Sequence, residues 1–120
     1  MKVLIVDDIF TNRLLLAEVL RSLDIEFDQA ENGKEALDLA NKYHFKLVLM
    51  DIKMPVMDGL QATVELRKTR TSQDLPIIAF SANNNQNDIE HCLAAGMQDF
   101  LSKPIDSEAL RLKIEKWVST

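Results

Sequence analysis

The sequence predicts an α/β fold, a doubly wound parallel sheet of five strands with helices on both faces. Three observations carry that expectation. Five short strand-like runs, Lys2 to Val6, Glu26 to Ala30, Leu47 to Met50, Ile77 to Phe80 and Asp99 to Leu101, are separated by stretches whose apolar residues recur at helical spacing. Strict alternation of strand and helix calls for parallel strands joined by crossover helices. The third run, Leu47-Val48-Leu49-Met50, is apolar without interruption, as a strand covered on both faces must be.

Taken in order, Lys2 to Val6 is a short apolar strand ending in Asp7-Asp8. The helix after it carries Leu16, Val19, Leu20 and Leu23 on one face. Glu26 to Ala30 is less apolar than the other strands, which places it at a sheet edge. Asn32 with Glu35 forms a cap pair that opens the second helix, and Ala36, Leu37 and Ala40 point inward. After the third strand, Pro55 pushes Met54 out of helical backbone, and Asp58 with Gln61 caps a third helix from about Gly59 to Lys68. A polar loop, Thr69 to Asp74, precedes Pro76 and the fourth strand, which ends in Ser81. Asn87 and Glu90 read as the cap of the fourth helix, and Gly96 as its left-handed stop. The fifth strand ends at Ser102-Lys103-Pro104. Asp106 opens the last helix, with Leu110, Ile114 and Trp117 at helical spacing.

The chain has 120 residues, 47% of them apolar, which suits one domain over residues 1–120 with a single sizeable core. No apolar run approaches the roughly 18 residues of a membrane span, and the N-terminus opens directly into a strand, so a cytoplasmic, membrane-free protein is expected. A net charge of -5 argues against direct nucleic-acid binding, which needs a basic face, and points to protein partners. The lone Cys92 excludes an internal disulfide and reads as a small packing group. His44 and His91 read as surface residues.

The chemistry stands at the strand ends. The first strand delivers Asp7 and Asp8, the third Asp51, the fourth Ser81 and the fifth Lys103. Open α/β sheets bind ligands in the crevice outside the carboxyl ends of their strands, so these residues should converge. Three carboxylates share a small site only if something offsets their repulsion, and hard oxygen ligands suit Mg²⁺ or Mn²⁺. A carboxylate beside such a cation, with an ammonium and a hydroxyl nearby, is equipped for phosphoryl transfer, with Asp51 as nucleophile. The competing assignment for Asp7, Asp8 and Asp58 is helix capping.

At these positions the sequence resembles the receiver domain of two-component response regulators, and the run Asp7-Asp8 followed by Asn12-Arg13 resembles the receivers of hybrid histidine kinases and phosphorelays. The resemblance rests on Asp7-Asp8, on Asp51 to Gly59 with Met54-Pro55 and Asp58-Gly59, on Ser81-Ala82 and on Lys103-Pro104. It implies a flavodoxin-like (βα)5 sheet of strand order 2-1-3-4-5, an order the general rules for this fold already illustrate with a chemotaxis receiver. It also implies Asp51 as phosphoacceptor, Asp7 and Asp8 as the Mg²⁺-binding pair, and Lys53 adding a backbone carbonyl to the metal. Lys103 would contact phosphate across a cis bond to Pro104. Ser81 matches the switch hydroxyl, where many members have Thr, and Phe100 the switch aromatic, where many have Tyr. Asn83 lies where the family tunes hydrolysis of its phosphoaspartate. The function implied is a switch in a phosphorelay: no turnover of an external substrate, but a phosphoryl group taken from a histidine kinase or histidine phosphotransfer protein. An output domain or a second copy would bind through the fourth helix, fifth strand and fifth helix.

Rival functions fit less well. A flavodoxin-like nucleotide binder needs hydroxyls and free backbone donors after the first strand, where two aspartates would repel a phosphate. A haloacid-dehalogenase-type phosphatase needs a second aspartate where this chain has Lys53. A degenerate receiver serving only for docking would lack one of the acidic, acceptor or lysine positions, and all are present. One local conflict remains in the first helix, where Leu14, Leu15 and Leu16 cannot all face the sheet at about 100° per residue. Leu14 should be exposed and Leu15 at the core border, extending with Ile9 and Phe10 an apolar surface on which a helical phosphodonor could dock.

Overall fold

The computed structural model describes residues 2–71, 73–82 and 86–118. Five strands, β1 (Lys2–Val6), β2 (Glu26–Ala30), β3 (Leu47–Asp51), β4 (Ile77–Ser81) and β5 (Asp99–Ser102), alternate with five helices, α1 (Phe10–Ser22), α2 (Gly33–Lys42), α3 (Gly59–Arg67), α4 (Gln86–Ala95) and α5 (Ser107–Val118). All four strand pairings are parallel, in the order β2-β1-β3-β4-β5. The expected fold class and strand order are therefore met, and β2 lies at an edge as its composition indicated.

The alternation of side chains along the strands divides the core in two. Val3, Ile5, Leu47, Leu49, Ile78 and Phe80 pack on Leu16, Leu20, Leu110 and Ile114 of α1 and α5. Leu4, Val6, Val48, Met50, Ile77 and Ala79 face the other way, onto Ala36, Ala40, Ala62, Leu66 and Cys92 of α2, α3 and α4. Every residue of β3 is buried, because strands cross to either side of it and helices cover both its faces. Each such leucine or isoleucine contributes roughly 2 kcal/mol by leaving water, so the central strands hold the strand ends rigidly in place. Cys92 is buried among these apolar groups, as a packing residue would be, and His44 and His91 are exposed.

The caps explain most helix starts. Asn32 Oδ1 accepts from the Glu35 amide at 2.9 Å while Glu35 reaches back to the Glu31 amide at 3.0 Å. Asp58 Oδ1 accepts from the Gln61 amide at 2.8 Å, and Asp106 Oδ2 from the Ala109 amide at 3.1 Å. Gly96, at φ 110°, ends α4 as expected, with the Met97 amide donating back to the Cys92 carbonyl at 3.0 Å. The Asn87 cap is a correction. The fourth helix already begins at Gln86, so Asn87 lies inside its first turn, and Glu90 accepts from Gln86 Nε2 at 3.3 Å. Asparagine beside glutamine in a polar run offered no apolar residue to fix the boundary.

Among the described residues, no helix is long and apolar enough to cross a membrane.

Candidate functional site

The sheet register brings the strand-end residues together. Val6 pairs with Met50, so the next residues, Asp7 and Asp51, leave adjacent strands side by side. Asp51 pairs with Phe80, Ser81 pairs with Ser102, and Lys103 follows Ser102 off β5, its amide donating to the Ser81 carbonyl at 2.8 Å. Asp8, Asp51, Lys53, Ser81 and Lys103 consequently line one cleft of about 220 Å³, together with Ile9 and Ala82. A larger hollow of about 450 Å³ opens at the other end of the sheet, among Lys2, Arg21 and Asp24 to Phe27, away from the cluster of three carboxylates. Chemistry, not volume, selects the site.

Three carboxylates, from Asp7, Asp8 and Asp51, offer ligand oxygens that all lie within 4.8 Å of one another. Lys103 Nζ sits 2.9 Å from Asp51 Oδ1 and 3.6 Å from Asp7 Oδ2. Burial, together with the charges of Asp7 and Asp8, pushes the Asp51 carboxyl up to about 6 although the bond from Lys103 pulls it down. Asp7 Oδ1 accepts from the Ile9 amide at 2.9 Å, whereas its buried Oδ2 accepts no hydrogen bond among the described residues. A buried carboxylate oxygen left so, beside two more carboxylates, fits a hard divalent cation of the Mg²⁺ type. The capping assignment divides: Asp58 caps α3, but the N-cap of α1 is Ile9, with no side-chain cap, so neither Asp7 nor Asp8 is spent that way.

The loop below the acceptor is tightly drawn. Gly59 donates its amide to the Ile52 carbonyl at 2.7 Å, and a Cβ there would lie 2.2 Å from the Asp51 carbonyl oxygen, so glycine alone fits. Val56 turns at φ 71° between the Pro55 carbonyl and the Met57 amide, 2.8 Å apart, a γ-turn of the strained hand. The Lys103-Pro104 bond is cis, as expected.

The remaining expected residues are placed as follows. Ser81 is buried at the cleft, where it also borders a small cavity under α4 with Ile52, Leu60 and Cys92. Phe100 is half-buried and packs into the core on the α2, α3 and α4 side. Ile9, 49% exposed, lines the cleft; Phe10, 64% exposed, follows it at the start of α1, and Leu14, at 42%, is exposed further along the helix while Leu15 is half-buried. Asn83 lies outside the described residues.

Arg13, which the sequence marks only as part of the Asn12-Arg13 run and gives no role at the site, is buried beside it. It is 8% exposed, its Nη1 donates to the Asp7 carbonyl at 2.8 Å, and its Nε donates to Gln29 Oε1 at 3.2 Å. The signal was present, because Arg13 shares the inward phase of α1 with Leu16, Ala17 and Leu20.

Comparison with known proteins agrees with this geometry. The model of the response regulator receiver domain matches residues 3–115. Hybrid signal transduction histidine kinase B of Dictyostelium discoideum is 36% identical over 96% of this chain, which covers 6% of that protein. The chain spans 6 to 15% of the length of the curated relatives it matches. The receiver domain of sensor histidine kinase PA1611 from Pseudomonas aeruginosa PAO1, solved with magnesium coordinated in its active site cleft, superimposes with a TM-score of 0.90 at 35% identity, covering 99% of this chain and 98% of that one. The receiver domain of Ssk1 from Saccharomyces cerevisiae, in complex with the histidine phosphotransfer protein Ypd1, gives 0.91 at 33% identity over 99% of this chain and 89% of that one.

Proposed function

The chain belongs to the response regulator receiver domain family, and we propose that it serves phosphorelay signalling by accepting a phosphoryl group on Asp51 from a phosphohistidine. The observation that supports this best is the place of Asp51, at the end of the fully buried strand, 2.9 Å from Lys103 and among the ligand oxygens of Asp7 and Asp8. The N–P bond of the donor histidine breaks as one Asp51 oxygen forms the O–P bond of an acyl phosphate, and the imidazole keeps the electron pair and gains a proton. With its carboxyl at about 6, Asp51 is mostly ionised at pH 7 and available as nucleophile. Asp7, Asp8, Asp51 and the Lys53 carbonyl would hold Mg²⁺ or Mn²⁺. When bound, that cation supplies charge neutralisation for the phosphoryl oxygens. Lys103 holds Asp51 in place and offsets the incoming charge, Ser81 donates its hydroxyl to a new phosphoryl oxygen, and Phe100 turns into the space released.

The same reading makes residues 1–120 one receiver domain, cytoplasmic, without turnover of an external substrate. A histidine kinase or histidine phosphotransfer protein would supply the phosphoryl group, laying a helix on Ile9, Phe10 and Leu15. An output domain or a second copy would use α4, β5 and α5. Asn83 would modulate hydrolysis. A docking-only receiver is not favoured, since acids, acceptor and lysine all converge.

Incubation with acetyl phosphate and Mg²⁺ should add one phosphoryl mass to the intact protein and none to Asp51→Asn. Equal labelling of that variant overturns the acceptor. Phe10→Asp should slow transfer from a phosphorylated histidine phosphotransfer protein while acetyl phosphate labels it normally; equal slowing with both donors overturns the docking surface.

A further inference from the structure

We infer that Arg13 is a positioning residue for the acidic site, fixing the backbone of Asp7 so that a single carboxylate oxygen is left for the cation; this rests on the proposed role of Asp7 as a cation ligand. Every other polar atom of Asp7 is tied down. Its amide donates to the Ala30 carbonyl at 3.2 Å, its Oδ1 accepts from the Ile9 amide at 2.9 Å, and its carbonyl accepts from Arg13 Nη1 at 2.8 Å. Oδ2 remains, with Lys103 at 3.6 Å and the Asp8 and Asp51 carboxylates close by. Of these ties, the one from Arg13 is the only one made by a side chain of another element.

The arginine is itself held for this task. Its Nε donates to Gln29 Oε1 on β2 at 3.2 Å, Nη2 pairs with the exposed Glu31 carboxylate at 3.6 Å, and the Phe10 ring covers the guanidinium at 5.7 Å. Burying a cation is costly unless its donors are used, and a planar fork can reach β2 and the β1 end at once where an ammonium makes one directed contact. Asp7 lies beyond the last residue of β1, so its carbonyl has no place in the sheet ladder. Arg13 takes that place and sets the direction in which the chain leaves the strand.

Two alternatives predict different signs. If Arg13 merely added positive charge near the carboxylates, removing it would tighten cation binding, and Lys would substitute. If it only stabilised the fold, melting temperature would fall with cation affinity unchanged. Positioning predicts that Arg13→Lys and Arg13→Gln both weaken Mg²⁺ binding, by roughly threefold to tenfold, below the usual loss for groups that orient a ligand oxygen directly. The test is calorimetric titration of the intact chain with Mg²⁺ at a temperature well below the melting point of each variant, with the metal-free Ile9 amide resonance as a second readout. That proton, bonded to Asp7 Oδ1, should shift in both variants before any cation is added. Unchanged affinity in Arg13→Lys, or tighter binding in Arg13→Gln, overturns the inference. Asp7→Asn is titrated alongside: if it binds Mg²⁺ like the parent, the cation role of Asp7 has failed, and the Ile9 resonance still decides whether Arg13 positions the turn.

Discussion

Asp51 and Asp99 are each paired with a lysine and stand in opposite conditions. Asp51 Oδ1 lies 2.9 Å from Lys103, and burial and two neighbouring acids push its carboxyl up to about 6. Asp99 Oδ1 lies 2.6 Å from Lys113, and although burial alone would raise it, bonds from Lys113, the Trp117 indole and the Phe100 amide hold it below the usual carboxylate range. The lysine contact is common to both. What differs is the rest of the shell: Asp99 has donors at both oxygens, 2.6 to 3.0 Å away, while Asp51 has one lysine and the like charges of Asp7 and Asp8. A carboxylate whose lone pairs are satisfied ties α5 to β5; one that is under-served is held ready for a cation or a phosphoryl group.

The largest expected effect follows from the under-served member. Because its folded pKa is raised, Asp51 favours the fold fully below its unfolded value of 3.8 and loses that contribution as the pH rises through about 6. In chelator, Asp51→Asn should therefore stabilise the protein at pH 8, by about 1–3 kcal/mol, with the gain shrinking below pH 6 and vanishing toward 3.8. Thermal unfolding at pH 8 and pH 4.5 checks it. A variant less stable than the parent at pH 8 would break the comparison, since it would make Asp51 a satisfied group like Asp99.

Asp99→Asn should do the reverse and somewhat less. Its lowered pKa means that the ionised form supports the fold above the ordinary carboxylate range, and that support is lost as the pH falls through the folded value. The substitution should cost about 1–2 kcal/mol at pH 7, because charge-assisted bonds to a half-buried group are lost, and progressively less as the pH falls below 3.8 toward the folded value. Opposite pH slopes for the two asparagine variants are the measurement; parallel slopes would mean that the fold senses only net charge.

The two regions also differ in how far the chain announces them. Asp7, Asp8, Asp51, Ser81 and Lys103 each interrupt an apolar strand, and the alternation of elements sends all those ends to one edge, so the site could be assembled from sequence. The Asp99, Lys113 and Trp117 contacts could not: Trp117 follows Leu110 and Ile114 at helical spacing, but nothing in the sequence pairs it or Lys113 with Asp99, and their meeting depends on how α5 lies across β5. Arg13 fell between. Its inward phase on α1 was readable, but its partner is a backbone carbonyl, which carries no residue signature. The strained turn at Val56 was hidden for a similar reason, since glycine or asparagine marks positive φ and valine does not. Asn87 was misplaced because a polar run has no period to locate a boundary.

The smallest effect concerns whether the two regions speak to each other. Only β5, four residues long, separates Asp99 at its start from Lys103 just past its end, and Phe100 lies between them. Phe100 donates its backbone amide to Asp99 Oδ1 at 2.8 Å, while its ring packs on the opposite side of the sheet from α5. A turn of the ring can therefore leave the amide where it is, and three donors from two elements resist displacement of the Asp99 carboxylate. Trp117 is the only tryptophan, so its indole proton, bonded to Asp99 Oδ2 at 3.0 Å, gives one isolated resonance. On addition of beryllofluoride and Mg²⁺ as a mimic of the phosphorylated state, the Phe100 ring and Ser81 resonances should move while the Trp117 indole stays within its linewidth. An indole that moves with them would show that β5 shifts as a unit, and the satisfied carboxylate would then be part of the switch instead of the anchor against which the switch turns.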